Sequence, residues 1–340
     1  MRLIVEMSHP ADINFFKNAL QLLSDKGWEY RIVTRGRENT VDILDSYNLK
    51  YYQYGKTRPG IASRPIQLIL NDYNLLWFSK KYEPDCFLSF CSPYCSHVAS
   101  IMGKPSIAFT DTETATMTIR LTYPFCTALY TPTFFGNDYG KKHYRFNGFK
   151  ELAYLSPKYF KPDELPLEYN NKEYAIVRIN SFDAVHDIGL PQRLLLDDWK
   201  RIICAVSNFV EPIILSELEL PKELRRYAVK IPPTKFHIIL QNARFVISDS
   251  CTITTESALL GIPTIFCHPN PARLMNFSIL EKRYGLIEYR NRVNEIISLI
   301  NKYATDFLLR KELIKRRGRL LSEMDDVTLC IIRSIERVFE

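Results

Sequence analysis

Between Ala243 and Pro263 the chain reads ARFVISDSCTITTESALLGIP. These residue types suit a phosphorylated ligand. Phe245–Ser248 is apolar enough for a buried strand, Asp249-Ser250 makes a turn, and a helix is expected to open near Thr254. A strand that turns directly into a helix aims backbone N–H groups and the positive helix end at an anion. Ser250, Thr252, Thr254 and Thr255 add hydroxyl donors. Glu256, one turn in, can accept two hydroxyl hydrogen bonds, as from a ribose. Gly261 ends the helix, and Pro263 leads into the next strand. The same letters also fit a plain strand–helix unit in which Asp249 and Ser250 serve only as caps.

Such a segment needs a sheet to hold it. Leu3–Glu6 reads as a strand buried on both faces, followed by the turn Ser8–Asp12 and a helix from Ile13 that Gly27 stops. Strands at Tyr30–Val33, Tyr51–Tyr54, Cys86–Phe90 and Ser106–Phe109 alternate with helices near 39–46, 67–81 and 95–102. The polar, proline-containing stretch 160–171 is a linker, and the alternation restarts after it. Strands are expected at Tyr174–Ile179, Pro212–Leu215, Ala228–Ile231, Phe245–Ser248 and Thr264–Cys267. Helices are expected at 192–209 and 254–260, and a helical tail from Asn291. This alternation predicts two doubly wound parallel α/β domains, 1–165 and 166–340, with the last helix packing back on the first. Two such domains imply a cleft between them, where ligands usually bind.

Composition narrows the class. The 340 residues are 46% hydrophobic and 24% charged, in the globular range. Eight cysteines are too dilute for a disulfide scaffold. The net charge of +7 divides almost evenly between the halves, so neither is a basic nucleic-acid module. No secretory signal opens the chain, and no apolar run is long enough to span a bilayer. A cytoplasmic protein is expected. The sequence lacks the P-loop pattern and the G-x-S-x-G pattern, against a P-loop kinase and an α/β-hydrolase. Cys91, Cys95 and His97 have no second ligand pair, so no metal site is expected. Six basic residues in Arg310–Arg319 suit either a solvated helix face or contact with anionic lipid headgroups.

Residues 248–263 resemble the donor-nucleotide site of GT-B enzymes, and most closely the signature S-D-S-G-G-x-x-E-E-A-x-x-L-G-x-P of UDP-N-acetylglucosamine 2-epimerases. Ser248, Asp249, Ser250, Glu256, Leu260, Gly261 and Pro263 fall in register. The resemblance implies diphosphate binding at Ser250 and ribose binding at Glu256. Cys251-Thr252 replaces the glycine pair, which implies a different phosphate turn. The whole chain also resembles an archaeal and bacterial family, domain of unknown function 354, grouped with these enzymes. The residues that carry this are Ser8-His9-Pro10-Ala11, Phe15–Asn18, Asp111-Thr112-Glu113, Thr131-Pro132, Gly148–Glu151 and Asp183–Asp187.

The GT-B resemblance implies catalytic roles. His9, between the first strand and first helix, stands where many inverting members keep a general base, and imidazole titrates near neutrality. Asp111, after the strand Ser106–Phe109, would orient it. Glu113 matches a glutamate of the epimerases' H-x-E-A-G-x-R stretch. Two other epimerase acids are missing, since Phe90-Cys91-Ser92 replaces G-D-T and Met117–Arg120 offers no carboxylate. Arg178 at a strand end would clamp a diphosphate through its planar fork, or else pair with a neighbouring carboxylate. Asp183, His186 and His268 are lesser candidates.

The expectation is a GT-B-like glycosyltransferase, inverting and metal-independent, working in glycan or polysaccharide biosynthesis. Its donor would be a nucleotide-diphosphate sugar, UDP-linked by resemblance, and its acceptor a sugar or a lipid-linked hydroxyl. Peripheral contact with the inner face of the membrane and no nucleic-acid partner complete it. The alternatives are a non-hydrolysing epimerase or hydrolase on the same scaffold, and a non-catalytic nucleotide-sugar binder.

Overall fold

The computed structural model describes residues 1–36, 39–55, 64–180, 193–269 and 275–340. The chain divides into two units, Met1–Tyr159 with Asp325–Glu340, and Phe160–Met324. The division expected at 165/166 therefore lies at Tyr159/Phe160, and the final segment belongs with the first unit.

In the first unit, β1 (Arg2–Glu6), β2 (Glu29–Thr34), β3 (Tyr51–Gln53), β4 (Cys86–Ser89), β5 (Ser106–Phe109), β6 (Ala128–Pro132) and β7 (His143–Phe146) form one sheet. Its order is β3-β2-β1-β4-β5-β6-β7, parallel throughout. β1, β4 and β5 are almost continuously apolar because helices cover both faces. The helices are α1 (Pro10–Asp25), α2 (Thr40–Ser46), α3 (Arg64–Tyr82), α4 (Pro93–Ile101), α5 (Thr116–Thr122) and α6 (Leu152–Leu155). Right-handed crossovers set α1 and α2 on one face and α3, α4 and α5 on the other, where α3 packs on α4 and α4 on α5. The α1 face buries Ile13, Phe16, Ala19, Leu20 and Leu23, at the helical spacing read from the sequence.

In the second unit, β8 (Tyr174–Ile179), β9 (Glu211–Ser216), β10 (Val246–Ser248), β11 (Thr264–Phe266) and β12 (Glu288–Tyr289) form a second parallel sheet, ordered β9-β8-β10-β11-β12. Its helices are α7 (Leu196–Ser207), α8 (Phe236–Asn242), α9 (Cys251–Leu260), α10 (Met275–Ser278), α11 (Val293–Thr305) and α12 (Leu309–Glu323). Trp199, Ile202, Ile203 and Val206 of α7 pack with Val177, Ile247 and Ile300 into its core. The strand expected at Ala228–Ile231 is a single bridge, Ile214 to Ala228; Pro232 and Pro233 follow at once and cannot donate to a ladder. The chain then returns to the first unit as α13 (Val327–Glu336), which packs on α1 and α6.

The basic tail has an unexpected use. Arg310 donates to the carbonyls of Gln241 and Ala243, Arg316 to Gly285 and Arg317 to Leu259. These carbonyls lie at or just past the ends of α8, α9 and the segment before β12. Three arginines of α12 thus satisfy acceptors of their own unit, while Lys311, Lys315 and Arg319 of the same run are exposed, as on a solvated face.

Candidate functional site

Both sheets reverse strand order at one point, and in open α/β sheets the crevice beyond the strand ends at that point binds ligands. In the second unit the reversal falls between β8 and β10. Arg178 pairs with Ser248 in the ladder there, so Arg178, Asn180, Asp249 and Ser250 collect at one edge. Helix α9 starts at Cys251, three residues before the expected start at Thr254, with Ser250 as its N-cap. No residue of 249–252 needs a positive φ. Cys251 and Thr252, in place of two glycines, simply extend the helix, and both are half-buried. The first turn-closing bond is Thr254 N–H to Ser250 C=O at 3.1 Å. The N–H groups of Cys251, Thr252 and Ile253 precede it and point out of the helix end. The Ser250 side chain makes no capping bond; Ser248 Oγ accepts from Ser250 N instead, at 2.9 Å.

The electrostatics are mixed. Arg178 is ion-paired with Glu217, and its Nε is buried without a hydrogen-bond partner. Asp249 is 3% exposed and accepts from Asn180 N at 2.9 and 3.2 Å. Burial raises its pKa from 3.8 to about 7, against the lowering influence of the Asn180 N–H and Arg178. Thr254 is wholly buried and its hydroxyl has no hydrogen-bond partner. Glu256 is buried too, with Oε1 3.0 Å from His237 Nε2 of α8. His237 was not foreseen; nothing nearby in sequence marks it, because 19 residues separate the two. His268, just past β11, stacks on Phe266 at 5.7 Å between centroids. Asp183 and His186 lie outside the described residues.

In the first unit the reversal falls between β1 and β4. His9 is exposed there as the N-cap of α1, and its Nδ1 accepts from Ala11 N at 3.2 Å. In that arrangement a neutral imidazole keeps its proton on Nε2. Cys91, just beyond β4, adopts φ 52°, a left-handed backbone that sends the chain into Ser92, the N-cap of α4. The expected His9–Asp111 pair is replaced. Asp111 bonds Lys150 at 2.8 Å and accepts from Thr112 Oγ1 at 3.0 Å. Burial alone would lower the pKa of Lys150, but Asp111 and Glu151 hold it above the usual lysine range. A buried ammonium needs such a counter-charge, and that is why Asp111 turns to it. Glu113 is half-buried just ahead of α5.

Two more acids sit at this edge: Asp12, in the turn Ser8–Asp12 that was read as capping the first helix and does so, and Glu6, which the sequence reading did not single out. Asp12 accepts from Ser8 N and His9 N at 3.1 and 2.9 Å, and burial, with Glu6 nearby, raises its pKa to about 7. Glu6 Oε1 takes bonds from Ser8 Oγ and Tyr54 OH at 2.7 Å each and from Arg35 Nε at 3.3 Å. An acid closing an otherwise apolar strand was the available signal for Glu6. His97 bonds Asp72 at 2.9 Å and the Leu121 carbonyl at 3.1 Å, which ties α4 to α3 and α5.

A family model described as "Protein of unknown function (DUF354)" matches residues 1–340. An uncharacterized protein of Methanocaldococcus jannaschii, MJ0665, is 22% identical over 314 residues, 87% of this chain and 89% of its own length. Solved structures share the whole fold. A Listeria monocytogenes protein assigned as a UDP-N-acetylglucosamine 2-epimerase aligns with a TM-score of 0.70 at 13% identity, covering 100% of this chain and 96% of that one. The glycosyltransferase VinC in complex with dTDP aligns at 0.65 and 10% identity, covering 99% and 100%. The fold is thus GT-B, shared by transferases and epimerases.

Proposed function

This chain belongs to the DUF354 family of proteins of unknown function, and we propose that it is a glycosyltransferase taking its sugar from a nucleotide-diphosphate donor. One observation carries the reading: at the β8/β10 reversal, the open N-terminus of α9, the Ser250 hydroxyl and Arg178 converge on one edge. The helix N–H groups of Thr252 and Ile253 and a guanidinium are donors that suit a diphosphate leaving group, and they would stabilise it without a metal. In this reading Ser250, Thr252 and Arg178 take the diphosphate. Glu256, oriented by His237, takes the ribose, and Thr254 supports the turn from within. That VinC holds dTDP on the same fold favours a pyrimidine nucleotide, and a UDP-sugar is the first donor to try.

His9 is the proposed proton acceptor for the acceptor hydroxyl. To present a lone pair at Nε2 it must move its proton to Nδ1 and release Ala11 N, at a cost of about 1 kcal/mol for the lost cap. Asp111, held by Lys150, then acts on the local field rather than as a direct partner. Attack by the hydroxyl on C1 expels the nucleotide diphosphate with inversion.

Calorimetric titration with UDP, dTDP and GDP tests the donor site. One of them should bind, and Ser250→Ala and Arg178→Ala should each weaken it about tenfold or more, the size of one lost charge-assisted bond. No binding by any nucleotide refutes the reading. Nucleotide release without an added acceptor would instead place the chain with the hydrolases or epimerases. Transfer that survives His9→Ala would remove His9 from the mechanism.

A further inference from the structure

The outer face of α3 is apolar where a solvated helix should be polar. Ile66, Ile69, Leu70, Tyr73 and Trp77 are each at least half exposed. Their spacing of three, one, three and four residues puts them on one stripe. The opposite side of α3 is already satisfied: Leu75 is buried and Phe78 packs beside it against Val33, Phe87 and Val98 of the sheet and α4. The stripe is therefore a second apolar face. It continues sideways, because α3, α4 and α5 form one layer. Ile101 at the end of α4, Met117 and Leu121 of α5, and Phe125 just beyond are exposed as well. Soluble monomers rarely leave a contiguous patch of this kind uncovered.

The charges around the patch say what covers it. The described side chains of α3, α4 and α5 include Lys80, Lys81 and Arg120 against one carboxylate, Asp72, which His97 already engages; Glu83, just past α3, is paired with Arg2. Lys104 is exposed just past α4. Lys81 Nζ lies 3.5 Å from the centroid of the Trp77 ring, so a cation and an interfacial aromatic sit at one level. Trp and Tyr with flanking lysines are the side chains that settle between acyl chains and headgroups. A second copy of the chain, related by a two-fold axis, would set these cations against themselves. An anionic bilayer meets them with opposite charge.

We propose that the α3–α5 face docks the first unit on an anionic phospholipid surface, with Ile66, Ile69, Leu70, Tyr73 and Trp77 below the headgroups and Lys80 and Lys81 among them. The site differs from the basic tail, whose arginines are engaged within the second unit. It also stands apart from the donor-site reading, because lipid binding is measured with no nucleotide present.

Co-sedimentation of the full chain with vesicles of phosphatidylcholine, alone or mixed with phosphatidylglycerol, tests it. Binding is expected to the mixed vesicles and to fall as salt rises. The pair Ile69→Glu and Trp77→Glu should lower the partition coefficient at least about tenfold, and Lys80→Glu with Lys81→Glu should remove the preference for anionic lipid. Both variants should melt with the wild type, because all four side chains are exposed. Equal sedimentation of wild type and the Ile69→Glu/Trp77→Glu variant overturns the proposal. So does an absence of vesicle binding together with a sedimentation-velocity dimer that this variant splits, which would assign the face to a second copy.

Discussion

Replacing Asp249 by Asn should make the protein more stable at pH 8 and leave it nearly unchanged near pH 4. The carboxyl is buried at the β8/β10 edge, and its pKa of about 7 in the fold compares with 3.8 in an open chain. The groups facing it are Arg178 on β8, Glu217 after β9, the Asn180 N–H and Cys267 after β11. A raised acid keeps its proton in the fold while the unfolded chain gives it up. Its stabilising effect is therefore full below pH 4 and is lost as pH rises through about 7. About three units at roughly 1.4 kcal/mol each make the loss about 4 kcal/mol by pH 8. Asparagine keeps the shape and a carbonyl oxygen for Asn180 N, and has no charge to bury. Allowing about 1 kcal/mol for imperfect hydrogen bonding, the variant should gain about 3 kcal/mol at pH 8. For a unit of this size that raises Tm by about 6–12 °C. Asp12 in the first unit titrates in the same range, so the reading is the difference between variant and wild type at each pH, by thermal melting or urea. A difference that stays constant from pH 5 to pH 8 would refute the argument that burial governs this carboxyl.

Lys150→Met should destabilise the first unit by about 3 kcal/mol, because Asp111 then keeps a charge in a largely buried place; adding Asp111→Asn should recover most of it in urea melts. His237→Ala should cost about 1–3 kcal/mol by stripping the bond from buried Glu256, and should weaken nucleotide binding as well if Glu256 serves the ribose. Gly261→Ala should cost about 1–2 kcal/mol in thermal melts, because the site has φ 74° and a methyl there would meet Ile314 Cγ1 at 3.2 Å.

The local elements were legible because burial writes them directly into the chain. Ser106–Phe109 and Tyr174–Ile179 stand as read, and α1, α4 and β2 differ from their expected ends by a few residues. Three short strands, β6, β7 and β12, were not resolved from the surrounding loops, since two to five letters with proline or charges among them have no period of their own. Strand order lay beyond reach, and with it the reversal point of each sheet. The segment 248–263 was singled out from hydroxyls next to a helix start. Its helix began early because Cys251 and Thr252 are ordinary helical residues once no left-handed turn is required. The pairing of Asp111 failed for a different reason: Lys150 sits 39 positions away, and only the folded sheet shows which cation is buried beside it.

The return of residues 325–340 to the first unit divides the chain into one continuous piece and one interrupted piece. Residues 160–324 contain every described strand and helix of their own sheet and should fold as a separate fragment, which expression of that piece alone would check. Residues 1–159 should be unstable alone, because α13 covers α1 and α6, Asp325 accepts from the Asn147 amide, and Asp326 gathers Lys158 and Tyr159. During synthesis the early unit must hold an uncovered apolar strip while the later one is made and folded. The part translated first is thus the part completed last, and a nick anywhere between the two segments leaves its covering helix joined only by contacts.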